Sequence, residues 1–309
     1  MELNTKINIT DSQLNELEMH SVINILSVIS SQLHLIQFET DHPDFITPLI
    51  DQTLELADAS REKNQEIFNI QKIKAYQSEI INVLESLSKL QPELHDDSLV
   101  SDYIGIFQEV FRVFDDRTEE IFHRWNHPDR WESYSIIKFK KEFQNFFYTL
   151  EKNSRGRYRI IYNIAEQEEK DYLVQFEVSS EFNDTIYLPL LLKDVIRDLI
   201  ANARKYTQPG GTIEIGIAQK DASIKFVVKD SGYGIPENEI PKIIEFGYRA
   251  SNVKSEIRTM GGGFGLTKAY HITNKFGGRF WIESNIDQGT KISIEIPIPN
   301  YVLVNKMNV

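Results

Sequence analysis

The chain has 309 residues, more than an ordinary domain with a single core, so about two domains are predicted. A formal net charge of -12 repels nucleic-acid phosphates and disfavours direct DNA or RNA binding. Cysteine is absent, which excludes disulfides, zinc–thiolate sites and thiol catalysis.

The first 17 residues lack the basic and then apolar pattern of a signal peptide. No run in the sequence approaches the roughly 18 apolar residues that a membrane span needs. We therefore expect a cytoplasmic protein without a membrane span.

Residues 1–95 have the apolar periodicity of long helices, and Asp11 or Ser12 can cap the first of them. Apolar residues then recur at alternating steps of three and four: Met19, Val22, Leu26, Ile29, Leu33 and Ile36. This heptad pattern predicts helices packed side by side. A break at 40–43 precedes a second long helix at 45–90. Because a lone hairpin buries little, we expect it to pair with a second copy in a four-helix bundle.

Residues 96–154 are expected to form further helices that are rich in aromatic residues and carry no chemical motif, ending in a linker at 153–156. From residue 157 the apolar period changes to the alternation of strands. Strands are predicted at 158–164, 172–178, 212–218, 223–229, 279–284 and 290–297, and helices at 188–206 and 265–276. Residues 155–300 are therefore predicted to form an α/β sandwich, with helices packed on a mixed sheet.

The predicted helix at 188–206 carries an acid, an amide and an ammonium group on one face. Asp198, Asn202 and Lys205 share this face because they are spaced by four and three residues. The Asn202 oxygen is a hard, neutral ligand that Mg²⁺ accepts beside phosphate oxygens, and Lys205 offers a positive charge to phosphates. A solvated polar stripe would have the same spacing, so the neighbouring motifs decide its meaning.

Turns that contain glycine follow this helix along the chain. Asp230 ends a predicted strand, and Gly232 and Gly234 let the backbone after it approach other groups closely. A buried carboxylate in such a turn can accept a hydrogen bond from an exocyclic amine such as that of adenine. The glycine-rich run at 261–266 precedes a helix, where free N–H groups favour phosphate binding. Thr290 opens the last strand, and its hydroxyl can join an adenine pocket.

These segments resemble, in order, the sequence boxes of sensor histidine kinases. Residues 198–207 are similar to the N-box, and residues 230–234 to the first glycine box. Residues 246–249 resemble the phenylalanine box, residues 261–266 the second glycine box, and residues 289–290 the closing turn. Five motifs in the family's order make a chance match very improbable.

The resemblance implies a Bergerat-type ATP-binding fold with a mobile lid at about 247–262. It implies that Asn202 binds Mg²⁺ and that Asp230 recognises adenine. The residues expected at the nucleotide are Asn202, Lys205, Tyr206, Asp230, Gly232, Gly234, Gly261, Gly263, Gly265, Leu266 and Thr290. Asp198 stands at a position where related ATPases can carry a general base that acts on water.

Sensor histidine kinases phosphorylate a histidine on the first helix of a dimeric hairpin, and His20 is the candidate here. It falls at an outward-facing position of the heptad, and Asn24 lies one turn later on the same face. In the family, a Thr or Asn at that place helps to position the water that removes phosphate from a partner. Ser21 stands where the family has an acid that assists proton removal, and Glu18 lies on the other side of His20.

His34 is the alternative acceptor, because it lies two heptads after His20 in the same phase. Outward position therefore does not choose between the two histidines. The local pattern of a histidine followed four residues later by Asn24 favours His20.

We therefore expect a homodimeric histidine kinase that uses ATP and Mg²⁺ to phosphorylate His20 and passes the phosphoryl group to a response-regulator receiver domain. Since no sensory domain is visible, we expect the input from an upstream sensor protein or from residues 97–153. Two alternatives stay open. One is a kinase-deficient phosphatase or scaffold that binds ATP, which Ser21 favours. The other is a Ser/Thr protein kinase with the same ATPase fold, which the long helical N-terminal region favours.

Overall fold

The computed structural model describes residues 1–64, 66, 68–90, 99–152, 154, 156–253 and 263–304. The chain divides into two compact units. The helical unit consists of Ile9–His127, and the sheet unit consists of Met1–Asn8 and Pro128–Val309. The helical unit is therefore an insertion within the sheet unit, and the predicted boundaries at residues 95 and 154 do not coincide with the ends of either unit.

The helical unit contains four helices in one chain: α1 (Asp11–Glu39), α2 (Thr47–Arg61), α3 (Ile70–Leu90) and α4 (Leu99–Asn126). Helices α2 and α4 each pack against both α1 and α3, around one hydrophobic core. The hairpin of α1 and α2 therefore completes a bundle with helices of its own chain, so the reason for expecting a second copy is wrong. The single helix predicted at 45–90 is also wrong, because Lys63 has a φ of 52° between α2 and α3.

Helix α1 begins one residue earlier than its expected caps allow. The Thr10 hydroxyl accepts a hydrogen bond from the Gln13 N–H at 3.2 Å, and the Gln13 side chain accepts one from the Thr10 N–H at 3.0 Å. This capping box makes Thr10 the cap and places Asp11 and Ser12 in the first turn. The predicted heptad seam is confirmed, because all six of its residues are buried.

Helix α1 is also the one helix, within the part of the chain that the structure describes, that is long and apolar enough to cross a membrane. It has no charged residue from Met19 to Phe38. Its outward face exposes Val28, Leu35 and Phe38, while its inner face belongs to the core of the helical unit. The expectation that no segment has the length and apolarity of a span is therefore wrong for α1, although core helices can share both properties.

The sheet unit is built on a six-stranded sheet. Its strands are β2 (Ile160–Ile161), β3 (Tyr172–Ser180), β5 (Thr212–Lys220), β6 (Ser223–Asp230), β7 (Arg279–Asn285) and β8 (Gly289–Pro297). They lie side by side in the order β2-β3-β5-β6-β8-β7. The first three strands in the order are parallel and the remaining pairs are antiparallel. The predicted fold class, a helical N-terminal region followed by an α/β domain with a mixed sheet, is confirmed.

The segment expected to be an extra helical layer divides between the two units. Strand β1 (Trp131–Ser135) pairs with β4 (Thr185–Pro189), and α5 (Ile136–Lys152) follows it. One stripe of α5 lies in the core of the sheet unit: Phe139, Phe143 and Phe147. Ser154, in the expected linker, is buried, and its hydroxyl donates to the Tyr158 carbonyl at 3.3 Å. Asn153 and Arg155 lie outside the described residues.

Two helices pack side by side on one face of the sheet, α6 (Leu190–Tyr206) and α7 (Gly265–Lys275), and a short helix, α8 (Asn300–Val304), follows the last strand. Strand β6 alternates between buried and exposed residues. Its buried set, Ile224, Phe226, Val228 and Asp230, ends in a carboxylate. Because alternate residues of β6 face the same side of the sheet, Asp230 is buried together with them.

The first residues of the chain extend the sheet beyond β7. The Leu3 N–H donates to the Phe280 carbonyl at 2.9 Å, and the Ile282 N–H donates to the Met1 carbonyl at 2.9 Å. Leu3 is buried in the core of the sheet unit. This N-terminal segment belongs to the sheet unit although the helical unit begins only a few residues later.

Candidate nucleotide-binding site

A cavity opens among α6, the ends of β6 and β8, residues 243–253 and the first turn of α7. The lining residues are Leu199, Asn202, Ala203, Tyr206, Val228, Asp230, Gly234, Ile235, Ile243, Tyr248, Arg249, Ala250, Val253, Leu266, Thr290 and Ile292. Most of these are apolar, so the few polar groups determine what the cavity can recognise.

Asp230 is the buried acid of this cavity. Its Oδ1 accepts hydrogen bonds from the Gly232 N–H at 2.9 Å and the Thr290 N–H at 3.2 Å. Both bonds go to one oxygen, so Oδ2 remains for a donor in the cavity. Burial raises the pKa of Asp230 from 3.8 to about 6, although both backbone donors oppose this shift. At neutral pH the group is an ionised acceptor suited to an amine such as that of adenine.

Two glycines bring other backbone segments against this acid. A Cβ atom on Gly232 would lie 2.1 Å from the Tyr206 carbonyl oxygen. A Cβ atom on Gly289 would lie 1.9 Å from the Asp230 carbonyl oxygen, and its φ of 88° also favours glycine. The end of α6, the turn after β6 and the start of β8 therefore meet at one point.

Asn202 lines the cavity from α6, and Gly265 allows the start of α7 to reach it. A Cβ atom on Gly265 would lie 2.5 Å from the Asn202 Nδ2 atom. The Asn202 carboxamide thus lies against the helix N-terminus, where free N–H groups and the helix dipole favour anions. An amide oxygen beside a phosphate-binding helix end fits a Mg²⁺–polyphosphate group.

A cluster of cations lies near the end of α6. Burial lowers the pKa of the Lys205 ammonium, and the positive charges of Arg249 and Arg204 lower it further. Burial raises the pKa of the Tyr206 hydroxyl, which the charge of Arg249 partly offsets. These groups affect one another, so Lys205, Tyr206 and Arg249 lie close together near the end of α6.

Asp198 does not line the cavity. Its Oδ2 accepts a hydrogen bond from the Lys268 ammonium of α7 at 2.8 Å, and the same ammonium lies 3.8 Å from Asp194. Lys268 is largely buried, whereas the Asp198 side chain is 42% exposed. The described contacts of Asp198 therefore join α6 to α7.

The phenylalanine box and the second glycine box pack against each other. The rings of Phe246 and Phe264 are 4.6 Å apart between centroids. The Thr267 hydroxyl donates to the Glu245 carbonyl at 3.1 Å, and a Cβ atom on Gly263 would lie 2.8 Å from the Tyr248 carbonyl oxygen. Gly261 and residues 254–262 of the lid predicted at about 247–262 lie outside the described residues.

The helical unit presents His20 on a half-buried position of α1. The Asn24 carboxamide donates to His20 Nε2 at 3.1 Å, so Nε2 carries a lone pair in this arrangement. Glu18 forms an ion pair with Lys63 of the α2–α3 connection. The acid nearest to His20 in sequence therefore already has a partner.

His34, the alternative acceptor, is exposed on the same helix. Its Nδ1–H donates to the Ser30 carbonyl at 2.7 Å, which leaves Nε2 as the unprotonated nitrogen of a neutral ring. Both histidines thus present Nε2 with a lone pair, but the residue four positions later is an amide that contacts the ring at His20 and is Phe38 at His34.

Residues 188–300 match the family model described as histidine kinase-, DNA gyrase B-, and HSP90-like ATPase. The sheet unit therefore contains an ATP-binding domain of this family. The resemblance to sensor histidine kinases that the five motifs predicted is confirmed for this domain.

The matched relatives include two bacterial kinases. The adaptive-response sensory kinase SasA of Synechococcus elongatus is 32% identical over 121 residues, 38% of this chain and 30% of that protein. The sensor protein kinase WalK of Staphylococcus saprophyticus is 35% identical over 140 residues, 44% of this chain and 23% of that protein. The chain thus spans less than a third of the length of these two relatives. Among solved structures, the catalytic domain of histidine kinase ThkA is 20% identical, with a TM-score of 0.39, covering 54% of this chain and 95% of that one.

Only some of the residues predicted to bind the nucleotide line the cavity. Those that line the cavity are Asn202, Tyr206, Asp230, Gly234, Leu266 and Thr290. Lys205, Gly232, Gly263 and Gly265 lie beside it without lining it. Sequence reasoning assigned no role to Arg249, although it ends the phenylalanine box, or to Lys268. The four-residue spacing of Asp194 and Asp198 signals a shared acidic face of α6, but their partner on α7 has no local signature.

Proposed function

We propose that this chain is a histidine kinase that binds Mg-ATP in the cavity beside Asn202 and transfers the γ-phosphoryl group to His20. The observation that carries the proposal is the His20 imidazole, whose Nε2 accepts a hydrogen bond from Asn24, in a chain that also contains an ATP-binding domain. A nitrogen with a lone pair on the outward side of a helix suits a phosphoacceptor.

Different residues of the cavity bind different parts of ATP. Asp230 Oδ2 accepts the adenine amine, and Asn202 would hold Mg²⁺ through its carboxamide oxygen. Bound Mg²⁺ neutralises charge on the phosphate oxygens. Lys205 and Arg249 add positive charge at the same end of the cavity.

The transfer needs the His20 nucleophile in the correct tautomer. With Nε2 accepting from Asn24, the ring proton is on Nδ1. Asn24 releases Nε2, the phosphorus–nitrogen bond forms, and the bond to the leaving oxygen of ADP breaks. The Nδ1 proton then passes to water. In this tautomer no proton has to leave Nε2 before attack, but the Nδ1 proton still has to be removed, and Ser21 supplies no carboxylate for that step.

We also propose a partner, an input and an oligomeric state for this kinase. The phosphoryl group passes from His20 to an aspartate of a response-regulator receiver domain, and an upstream sensor protein controls the first step. The protein acts in the cytoplasm as a homodimer. The resemblance to sensor histidine kinases supports these features, whereas the bundle core does not require a second copy, because α3 and α4 complete it.

Incubation with γ-³²P-labelled ATP tests the proposal. We expect acid-labile, alkali-stable label on the wild-type chain that is lost in His20→Ala and kept in His34→Ala, the matched control on the same helix. Label that survives in His20→Ala but not in His34→Ala would move the acceptor. Addition of candidate receiver domains to the labelled chain then tests transfer to aspartate.

Two specific observations favour the alternatives. Ser21 in place of an acid, with Glu18 paired to Lys63, favours a phosphatase or scaffold that binds ATP without kinase activity. A four-helix bundle within one chain favours a Ser/Thr protein kinase with this ATPase fold. Absence of label despite measurable ATP binding supports the first alternative. Acid-stable label on an added protein supports the second.

A further inference from the structure

The chain passes between the helical unit and the sheet unit twice, after Asn8 and after His127. Each passage is flanked by a short segment of the sheet unit. We call these the entry segment, Met1–Asn8, and the exit segment, Pro128–Trp131. Both segments are bound by the same helix, α7.

The entry segment is held by Tyr270, a fully buried residue in the middle of α7. The Tyr270 hydroxyl donates to the Thr5 carbonyl at 2.7 Å and lies 3.2 Å from the Leu3 carbonyl. Only residues 6–9 separate Thr5 from Thr10, the cap of α1. The helix that carries His20 is thus tied by a very short connection to a residue of α7.

The exit segment is held by the last turn of α7. The Lys275 ammonium lies 3.2 Å from the Asp129 carboxylate and donates to the Pro128 carbonyl at 3.4 Å. The Trp131 ring packs edge-on against Phe276, the residue after α7, with centroids 6.1 Å apart. These contacts begin at the first residue that follows the helical unit.

The other end of α7 lies at the nucleotide cavity. Its first residue, Gly265, is packed against the Asn202 side chain, and Leu266 lines the cavity. Lys268, one turn on, is ion-paired with Asp198 of α6. A single helix of 11 residues therefore contacts the cavity with its first turn and the two segments with its middle and its last turn.

We propose that α7 couples nucleotide binding to the helical unit by changing its hold on the entry and exit segments. Nucleotide at the first turn of α7 fixes the helix, the helix fixes both segments, and the segments set the freedom of the helix that presents His20. This regulation rests on the proposed histidine kinase function for its biological outcome. By linkage, release of the segments weakens nucleotide binding by the same factor.

Hydrogen exchange on the full-length chain tests the coupling without relying on activity. The amides to follow are those of Leu3 and Ile282, which pair the entry segment with β7. We expect saturating Mg²⁺ and the non-hydrolysable analogue AMPPNP to slow their exchange about tenfold. In Tyr270→Phe, which keeps the ring but removes both hydroxyl contacts, we expect this slowing to disappear.

Two further variants keep the test decisive. Tyr148→Phe removes a hydroxyl from an exposed tyrosine of α5 and should retain the wild-type response. Lys275→Gln loosens the exit segment from a partly exposed position and gives a second reading if Tyr270→Phe does not fold. Exchange at Leu3 and Ile282 that AMPPNP does not slow in the wild type overturns the coupling. So does a full response in Tyr270→Phe or, if that variant does not fold, in Lys275→Gln.

The same preparations separate this inference from the proposed function. A nucleotide-dependent slowing without acid-labile label on His20 keeps the coupling and refutes the kinase. Label on His20 with no slowing keeps the kinase and refutes the coupling. If both hold, we expect Tyr270→Phe to lower the rate of His20 labelling about tenfold at saturating ATP.

Discussion

Replacement of Asp230 by Asn distinguishes two effects of this acid: the loss of stability from its buried charge, and its contribution to ATP binding. Asn keeps an oxygen that can accept from the Gly232 and Thr290 N–H groups, so the turn should be retained. It removes the buried negative charge and offers an NH₂ group in place of the Oδ2 acceptor. We therefore expect a more stable apoprotein that no longer binds ATP with measurable affinity.

The size of the effect follows from the pKa of Asp230. Burial raises this pKa from 3.8 to about 6, and the difference corresponds to about 3 kcal/mol at 1.36 kcal/mol per unit. Because the pKa is higher in the folded state, the ionised carboxylate destabilises the fold. This loss of stability is absent below about pH 4, grows between pH 4 and 6, and is complete at pH 7. The variant should thus gain up to about 3 kcal/mol at pH 7 and almost nothing at pH 4.

Calorimetric unfolding of both proteins at pH 4 and pH 7 measures this difference. For a unit of this size, about 3 kcal/mol raises the unfolding temperature by roughly 6–12 °C at pH 7. The exposed Asp184, changed to Asn, serves as the matched control and should shift little. An Asp230→Asn protein that unfolds at the wild-type temperature at pH 7, or that still binds ATP as tightly, would refute the reasoning.

Two further changes test the contacts between α6 and α7. Gly265→Ala pushes a methyl group against Asn202 and should weaken Mg-ATP affinity by about 1–3 kcal/mol in titration calorimetry. Gly105→Ala on α4, where a Cβ meets nothing within 4 Å, should leave the affinity unchanged, and equal affinities for all three proteins would contradict the packing argument. Lys268→Met should lower the free energy of unfolding, measured in urea, by about 1–3 kcal/mol, because Asp198 loses a charged hydrogen bond. Asp198→Asn keeps an acceptor for Lys268 and should lower the free energy of unfolding by less. A larger loss for Asp198→Asn than for Lys268→Met would count against this ion pair.

Much of the sheet unit could be predicted because local signals mark its turns and strands. The strands predicted at 212–218 and 223–229 agree with β5 and β6 to within a few residues. Between them, Asp221 and Ala222 both have positive φ, the conformation of a tight hairpin turn. Alternation then fixes which side chains of β6 are buried, and so places Asp230 correctly.

Elements that depend on distant partners could not be predicted in this way. Strand β1 is short, has no clear alternation and gains its structure from β4, more than 45 residues later. The stripe of phenylalanines on α5 predicts a helix, but nothing local assigns that helix to the sheet unit. The break between α2 and α3 was missed because Lys63, rather than a glycine, takes the left-handed conformation there.

The candidate site was predictable for a physical reason that the glycines reveal. The missing Cβ of Gly232 makes room for the N-box backbone at Tyr206, that of Gly265 for Asn202, and that of Gly289 for the backbone of Asp230. Each motif therefore needs its glycine because another motif occupies the space. Motifs that are far apart in sequence constrain one another sterically, so their joint presence carries more information than each has alone. Arg249 and Lys268 act through their charge on Lys205 and on Asp198, and no comparable steric requirement marks them in the sequence.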